Sequence, residues 1–451
     1  MVKLLITAVV AAAAIWSFKV WEYSALPELD PEERWGLRES RVANDISVRE
    51  FQVVFSEEMI NDLKHRLKNF RPPAPPLDGV AFQYGFNSRQ LDSWKYYWTE
   101  KYNFTEREKF LNRFQNFKTN IQGLDIHFIW VKPKEVPPEV AVVPILLLHG
   151  WPGSVREFYE LIPHLTTLGP GQEFVFEVIA PSLPGFGYSD APIRSGLGSP
   201  QIAVIMRNLM RRLGHQQFYM QAGDWGGEVA ADLATLYPDE VLGFHSNLVI
   251  VKHPLALLIT AVGAVFPKWF AEPPMEDRMN RFPSIFKELG YFYIQASKPD
   301  TIGAVLSDSP LGLLAYILEK VSVGTNFNNV NASDGGLEVF TKEQLLDNLM
   351  MYWAPRSVTT SFRIYRDGFR ELLNRLQFNV RPTPVLTWMM QAEYEILYQL
   401  PSAIRYKFPN LLNVTVLYEG GHFIALEAPQ VLAKDVFTAV KGFRKIKNRI
   451  E

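Results

Sequence analysis

The amino-acid sequence predicts an α/β protein built on a parallel β-sheet that helices cover on both faces. From residue 142 onward, short apolar runs alternate with stretches of helical pattern. Strands that are apolar on both faces and separated by helices are typical of a buried parallel sheet. The candidate strands span residues 142–148, 174–180, 218–222, 242–247, 384–389 and 414–418.

The alternation of strands and helices stops between residue 249 and about residue 377. The pattern of this stretch is mostly helical and rich in aromatic residues. We interpret residues 250–378 as an inserted, mainly helical cap that covers the ends of the strands. The insertion divides the predicted core into a first part, residues 131–249, and a second part, residues 379–451.

Residues 24–130 are predicted to form an N-terminal arm and the first strands of the sheet. Residues 56–69 have the pattern of an amphipathic helix, with Ser56 as its N-cap. A proline-rich passage at residues 71–76 precedes many aromatic residues, which favours an arm packed on the main body over a free linker. Residues 117–130 alternate around a glycine in the manner of a β-hairpin.

The first 23 residues are predicted to form a membrane anchor. Residues 4–18 are an uncharged apolar run between Lys3 and Lys19. As a helix this run is roughly 22 Å long, short of the ~30 Å hydrocarbon core, and flanking lysines and aromatic side chains extend it towards a full span. A cleaved signal peptide, indicated by the alanine run at 11–14, and a peripheral segment are the alternatives.

The composition excludes several classes of function. Of the 451 residues, 47% are hydrophobic and 21% are charged, and the net charge of −2 gives no support for nucleic-acid binding. The chain has no cysteine, so thiol catalysis, disulfides and cysteine metal sites are excluded. Its eight histidines include no H-x-x-x-H or H-x-H pair, which argues against a zinc centre.

Residues 223–227, with the sequence GDWGG, have the layout of a nucleophile elbow. They follow the apolar run 217–222 and precede a helical pattern over residues 228–237. In such an elbow a tight turn exposes the nucleophile at the end of a parallel strand, and small flanking residues let the backbone pass without a clash. Asp224 occupies the nucleophile position; the alternative is that it only caps the following helix.

An aspartate at the elbow narrows the chemistry of the site. A carboxylate that displaces a leaving group at a saturated carbon forms an ester, which water can then hydrolyse. A serine that attacked the same carbon would leave an ether with no easy route to product. Asp224 therefore points to substrates with an electrophilic sp3 carbon, chiefly epoxides and alkyl halides.

One loop before the elbow and the loops after it supply the remaining parts of a hydrolase site. In α/β-hydrolases one oxyanion donor lies in the loop after an early strand and the other follows the nucleophile, which places these roles on the backbone N–H groups of Trp151 and Trp225. His422, after the last strand, is the predicted general base. The acid that orients it should follow the previous strand, where position alone does not separate Glu393 from Glu395.

Four motifs together resemble the epoxide hydrolase group of the α/β-hydrolase fold. They are HGWPGS at residues 149–154, LPGFGYSD at 183–190, GDWGG at 223–227 and GGHF at 420–423. The anchor, the arm and cap residues 290–301 resemble the microsomal branch, and within it the insect juvenile hormone epoxide hydrolases. The last residue of the elbow, Gly227, departs mildly from the serine or alanine that is frequent there.

The resemblance implies further site residues and a setting. The spacing of acid and base in the family selects Glu395 over Glu393, and two cap tyrosines, here Tyr291 and Tyr365, would hold the epoxide oxygen, with Tyr293 as a competitor. It also implies a lipophilic epoxide substrate, no metal or organic cofactor, and attachment to the endoplasmic reticulum membrane through the N-terminal segment.

Hydrolysis of an epoxide through an Asp224 ester is therefore the predicted function. Juvenile hormone and general xenobiotic epoxides are both compatible with the motifs as substrates. A haloalkane dehalogenase shares the Asp-Trp elbow but would need halide-binding side chains instead of the tyrosine pair. A catalytically inactive lipophile carrier on the same fold is a third reading, against which the intact set of catalytic residues argues.

Overall fold

The computed structural model describes residues 26–36, 45–271, 275–374 and 376–448. Their centre is a nine-stranded sheet in the order β1-β2-β3-β5-β4-β6-β7-β8-β9. The strands are β1 (Arg49–Phe51), β2 (Asn116–Ile121), β3 (Leu124–Val131), β4 (Ala141–Leu148), β5 (Phe174–Pro181), β6 (Phe218–Ala222), β7 (Val241–Ser246), β8 (Thr387–Gln391) and β9 (Leu411–Val416).

The sheet has an antiparallel and a parallel half. The hairpin predicted at residues 117–130 is formed by β2 and β3, and the pairs β1–β2, β2–β3 and β3–β5 are antiparallel. From β5 through β4, β6, β7 and β8 to β9 every pair is parallel, as predicted from the apolar runs. The carboxyl ends of β4, β6, β8 and β9 therefore meet at one edge of the sheet.

Helices cover both faces of the sheet and fill the insertion between β7 and β8. They are α1 (Glu57–Lys68), α2 (Leu91–Tyr96), α3 (Phe104–Leu111), α4 (Leu161–Thr166), α5 (Ser199–Arg212), α6 (Asp224–Leu236), α7 (Pro254–Val265), α8 (Pro267–Phe270), α9 (Met275–Asn280), α10 (Phe282–Glu288), α11 (Gly290–Ser297), α12 (Pro299–Asp308), α13 (Pro310–Thr325), α14 (Lys342–Trp353), α15 (Val358–Asn374), α16 (Leu376–Val380), α17 (Pro401–Ile404), α18 (Ile424–Glu427) and α19 (Pro429–Lys447). Single turns of other helix types lie at Ser88–Gln90, Tyr97–Lys101, Val155–Phe158, Phe327–Asn331 and Leu337–Val339.

The last two strands are offset from their predicted positions. The strand predicted at residues 384–389 begins only at Thr387, because Pro384 has no N–H to donate to a neighbouring strand. The strand predicted at 414–418 begins at Leu411, which pairs with Thr387. The helix predicted over residues 228–237 begins four residues earlier, at Asp224 itself.

The arm packs against the main body, as its aromatic content predicts. Phe82, Trp94 and Trp98 are buried in the common core, whereas Tyr84 and Tyr96 remain exposed. The predicted helix forms as α1, and Ser56 accepts a hydrogen bond from the Met59 N–H as its N-cap.

A buried charge cluster joins the arm, the core and the cap. The carboxylate of Asp347 on α14 accepts hydrogen bonds from the Tyr102 hydroxyl and the Arg107 Nε, both at 2.9 Å, and from the Arg156 Nε at 3.1 Å. Asp347 and Arg156 are almost fully buried. A buried carboxylate is tolerated only with such complete pairing, so the cluster fixes the three parts against one another.

The membrane anchor predicted at residues 1–23 lies outside the described residues. Among the residues that are described, no single helix is both long and apolar enough to cross a bilayer. One pair of helices, α12 and α13, meets that length and composition only jointly and across a bend of 120°.

Candidate active site

Asp224 stands at a sharp turn between β6 and α6. Its backbone φ of +53° lies in the left-handed region, which is uncommon for a residue other than glycine and often marks a functional turn. A Cβ atom at Gly226 would overlap the carbonyl of Leu148, and one at Gly227 would overlap the carbonyl of Leu248. The packing around the elbow therefore requires glycine at its last position, Gly227, in this chain.

Two backbone N–H groups hold the Asp224 carboxylate. The Trp151 N–H donates to Oδ1 at 2.9 Å, and the Trp225 N–H is a second donor to the carboxylate. Burial raises the pKa of Asp224, and the charge of His422 together with these N–H groups opposes that rise. The two predicted oxyanion donors thus already converge on the carboxylate of the nucleophile.

His422 lies on the other side of the same carboxylate. Its Nε2 is 3.7 Å from Asp224 Oδ2, and its Nδ1 is 2.7 Å from Glu395 Oε1. Burial alone would lower the pKa of His422, but the charge and hydrogen bond of Glu395 outweigh it and raise that pKa, with a smaller contribution from Asp224. Once Asp224 is esterified its charge is lost, so the pKa of His422 falls and the neutral ring, the form that can accept a proton from water, is favoured.

The loop that carries His422 is fixed from two sides. The Glu427 carboxylate on α18 accepts hydrogen bonds from the Gly421 N–H at 2.9 Å and the Phe423 N–H at 3.0 Å. The His422 N–H itself donates to the carbonyl of Gly324, at the end of α13, at 2.8 Å. The position of the base therefore depends on both the core and the cap.

The structure separates the two candidate acids by their partners. Glu395 is buried and contacts His422, as described above. Glu393 instead pairs with Arg278 at 2.7 Å and with Arg281 at 2.6 Å, two residues of the cap. Glu393 is thus occupied in a structural ion pair, and Glu395 is the acid that can orient the base.

Tyr291 on α11 and Tyr365 on α15 face the nucleophile from the cap. Their ring centroids are 6.0 Å apart, and the ring of Tyr291 stacks on Trp151 at 5.1 Å. Tyr365 packs edge-on against Trp225, with ring centroids 5.0 Å apart. Burial raises the pKa of both phenols well above the ordinary value, so both are neutral hydrogen-bond donors at physiological pH.

Tyr293 does not compete with Tyr291 for this position. Its side chain is 57% exposed and lies at the mouth of the cavity described next. On a helix, residues two positions apart point in different directions, so only one of the two tyrosines can face Asp224.

An apolar cavity of about 320 Å³ extends from Asp224 and the tyrosine pair between the core and the cap. Its walls include Trp225, Leu248, Ile250, Ile285, Leu289, Phe292, Phe369 and Ile396. A cavity of this kind, with a few polar groups at one end, suits a lipophilic small molecule. In the part of the chain that is described, no group of three His, Asp or Glu side chains is placed to hold a metal ion.

Comparison with known families and proteins agrees with this geometry. Residues 48–158 match the family described as "Epoxide hydrolase N terminus", and residues 143–289 match the "alpha/beta hydrolase fold" family. The juvenile hormone epoxide hydrolase of Bombyx mori is 50% identical over 428 residues, covering 94% of this chain and 93% of its own. The chain belongs to the epoxide hydrolase family.

A vertebrate relative and two solved structures are also similar to this epoxide hydrolase. Epoxide hydrolase 1 of Oryctolagus cuniculus is 39% identical over 450 residues, which cover 97% of this chain and 98% of the relative. The crystal structure of the Bombyx mori enzyme superimposes with a TM-score of 0.90 at 51% identity, covering 93% of this chain and 100% of that one. An Aspergillus niger epoxide hydrolase has a TM-score of 0.71 at 27% identity, with 88% and 97% covered.

These findings confirm the predicted α/β-hydrolase fold, the family resemblance and the activity: the protein is an epoxide hydrolase, a hydrolase of ether bonds. The structure brings together the predicted site residues, namely Asp224, Glu395, His422, Tyr291, Tyr365, Trp151 and Trp225. Their individual roles in this epoxide hydrolase stay predictions.

Two acidic residues beside the site are not predicted from the sequence. Glu427 accepts hydrogen bonds from the loop that carries His422. It is the last residue of the short helix that follows the GGHF motif, and the sequence around it has no distinctive pattern. Glu157 lines a small cavity beneath Asp224. The turn Val155–Phe158 that carries Glu157 also contains the charged Arg156, so its local sequence gives no distinctive signal.

Proposed function

We propose that this epoxide hydrolase converts lipophilic epoxides, with juvenile hormone as its physiological substrate, into diols through an ester on Asp224. The observation that carries the proposal is the placement of Asp224. One face of its carboxylate meets two buried phenols across an apolar cavity, and the other lies 3.7 Å from a histidine paired with a buried glutamate.

In the first step Asp224 Oδ2 attacks a ring carbon of the epoxide. Oδ1 is held by the backbone N–H of Trp151, which leaves Oδ2 as the free nucleophilic atom. The ring C–O bond breaks, and the epoxide oxygen takes a proton from Tyr291 or Tyr365. Because both phenols are neutral, each can polarise the ring oxygen before it gives up a proton.

In the second step water attacks the Asp224 carboxyl carbon while His422 accepts its proton. Negative charge develops on Oδ1, where the N–H groups of Trp151 and Trp225 stabilise it. The bond between the Asp224 carboxyl carbon and Oδ2 then breaks, and Oδ2 takes the proton back from His422 and leaves as a hydroxyl group of the diol. The oxygen of the water replaces it in the Asp224 carboxyl group. The proton lost by the phenol is regained from the carboxyl group that hydrolysis regenerates.

The choice of juvenile hormone rests on relatives and on the cavity. Relatives at 50% and 43% identity, from Bombyx mori and Manduca sexta, are juvenile hormone epoxide hydrolases. The cavity of about 320 Å³ is mostly apolar, and its polar groups are Asp224, the tyrosine hydroxyls and the Lys252–Glu228 ion pair. General xenobiotic epoxides are the second candidate, which the 39% identity to the rabbit epoxide hydrolase 1 favours.

The test is the intact mass of a His422→Gln variant incubated separately with juvenile hormone and with styrene oxide. We expect an adduct equal in mass to the whole epoxide, formed faster with juvenile hormone and lost when Asp224→Ala is added. Faster loading by styrene oxide would favour the xenobiotic role. A folded variant that forms no adduct with either compound would contradict the ester mechanism.

We further propose that residues 1–23 attach the enzyme to the membrane of the endoplasmic reticulum. The apolar run 4–18 between two lysines supports this, and a membrane location suits a substrate that partitions into lipid. The full chain should stay in the membrane pellet after alkaline carbonate extraction, whereas a chain starting at residue 24 should not. Release of the full chain would contradict the anchor.

A further inference from the structure

A second, much smaller cavity lies on the side of Asp224 away from the apolar cavity. The space open to the centre of a water molecule is about 20 Å³, which is enough for one water. Asp224 and His422 both line it. Four further polar side chains, those of His149, Glu157, Gln221 and Asn247, also line it.

One wall of this cavity has an unsatisfied hydrogen-bond acceptor. Gln221 is 1% exposed, and its Nε2 donates to Asn247 Oδ1 at 2.9 Å. Its Oε1 is buried and has no hydrogen-bond partner among the described residues. Buried acceptors without a protein partner are commonly paired with ordered water.

Glu157 reaches the cavity because Gly153, four residues before it in the chain, has no side chain. A Cβ atom at Gly153 would overlap the Glu157 Oε1, so glycine at position 153 leaves the room in which the carboxyl group lies. The mechanism described above gives this carboxyl group no role, although it shares one cavity with the nucleophile and the base.

The environment keeps the Glu157 carboxyl group uncharged at neutral pH. Burial, followed by the charge of Asp224, raises its pKa to about 8, against the opposing effects of His422 and the Ser154 N–H. Tyr352 is a further titratable group beside Glu157. Burial raises the pKa of the Tyr352 phenol, and the charge that Glu157 carries when ionised raises it further. A neutral carboxyl group next to a carboxylate ester can both accept and donate a hydrogen bond without adding charge to the site.

We propose that this cavity holds the water that hydrolyses the Asp224 ester, and that Glu157 positions that water together with His422. The water would give one hydrogen bond to His422 Nε2 and the other to the Glu157 carbonyl oxygen. Its lone pair then points at the Asp224 carboxyl carbon. The proton goes to His422, as in the second step above, and Glu157 neither gains nor loses one.

The proposal rests on the ester mechanism, and it assigns Glu157 to the second step alone. We expect Glu157→Met, which removes the polar group but keeps the length, to slow ester hydrolysis by about 10–100-fold. The alkylation rate should stay near that of the wild type, so the ester should accumulate in the steady state. Rapid-quench intact mass measurement separates the two rates.

Two further variants distinguish water positioning from a structural role. Glu157→Gln keeps a neutral carbonyl acceptor and should restore most of the hydrolysis rate. Gly153→Ala should displace the Glu157 carboxyl group and reproduce the selective loss, which keeps the test open where Glu157→Met does not fold. An equal fall of both rates in folded Gly153→Ala and Glu157→Met, or wild-type hydrolysis in both, would overturn the proposal.

The two proposals fail in different ways. If His422→Gln traps an ester but the Glu157 and Gly153 variants do not, the ester mechanism stands and the assignment of Glu157 is wrong. If His422→Gln traps no ester, the mechanism itself is contradicted.

Discussion

At the scale of single residues, the two neighbouring glutamates after β8 have opposite environments. Glu395 Oε1 is 2.7 Å from the Nδ1 of His422, whereas Glu393 pairs with two arginines. We expect Glu395→Gln to slow ester hydrolysis by about 10²-fold or more, because the base loses the charge that orients it and raises its pKa. Single-turnover kinetics with detection of the ester measure this rate.

Glu393→Gln is the matched control for that prediction. It should leave the hydrolysis rate near that of the wild type and lower the Tm, because Arg278 is buried and would lose its charged partner. Equal losses of hydrolysis in the two variants would mean that the hydrogen-bond geometry around His422 does not reflect the working enzyme.

The cap tyrosines should act on the other step. Tyr365→Phe and Tyr291→Phe each remove a donor that faces Asp224, so the rate of ester formation should fall by about 10²-fold, while hydrolysis of any ester formed should change little. Tyr293→Phe, at an exposed position, should leave both rates unchanged. Stopped-flow quenching of tryptophan fluorescence follows ester formation, since Trp151 contacts both tyrosines and Trp225 contacts Tyr365.

Sequence predicted the residues of this site unevenly, for a physical reason. Asp224, Trp151, Trp225 and His422 sit in local motifs, where the backbone geometry of a strand end fixes the residue type. The choice of Glu395 depends on partners of Glu393 that lie more than 110 residues away along the chain. Local sequence patterns do not predict ion pairs between residues so far apart in the chain. Glu395 and the two tyrosines were therefore predicted only from the family resemblance.

At the scale of elements, the turn from β6 into α6 depends on glycines that have no space for a Cβ atom. Gly227→Ala would push a methyl group into the carbonyl of Leu248, so we expect a lower Tm and a loss of ester formation as Asp224 shifts. Gly442→Ala in α19 is the control. Its Cβ would meet only ordinary contacts, and the gain in helix propensity should stabilise the protein by about 0.5–1 kcal/mol.

Thermal unfolding of the two variants by circular dichroism, with rapid-quench assays of the ester, checks this pair. A Gly227→Ala protein with the wild-type Tm and rate would show that the elbow can relax around a methyl group. A destabilised Gly442→Ala protein would show that the lowered Tm is a general response of this chain to alanine.

The elements themselves follow from sequence more closely than their ends do. Apolar runs predicted every strand of the parallel half, because burial on both faces requires them. The ends moved where a local feature intervened: β8 begins after Pro384, and α6 begins at Asp224 because the strained turn leads directly into helix.

At the scale of the whole molecule, Asp347 joins three parts of the chain that sequence alone leaves separate. Asp347→Asn would leave buried Arg156 with only Glu160 as a counter-charge, and we expect the free energy of unfolding to fall by about 3 kcal/mol. Urea denaturation measures this change. Asp300→Asn, which breaks an exposed pair with Arg363, should cost only about 0–1 kcal/mol.

A small effect at Asp347, comparable to that at Asp300, would mean that the arm and cap unfold independently of the core. A single steep transition that moves to lower urea would show that the cluster belongs to one cooperative unit. Arg107, Arg156 and Tyr102 lie 191 to 245 residues from Asp347, so no local pattern indicates their association.

The hydrogen bond from the His422 N–H to the Gly324 carbonyl couples the position of the catalytic base to the position of the cap. A movement of the cap away from the core would break this bond, and the catalytic loop would lose one of its three backbone anchors. A ligand that fills the apolar cavity contacts both the cap and the core and should hold them together. We therefore expect a bound ligand to slow hydrogen–deuterium exchange at the His422 amide.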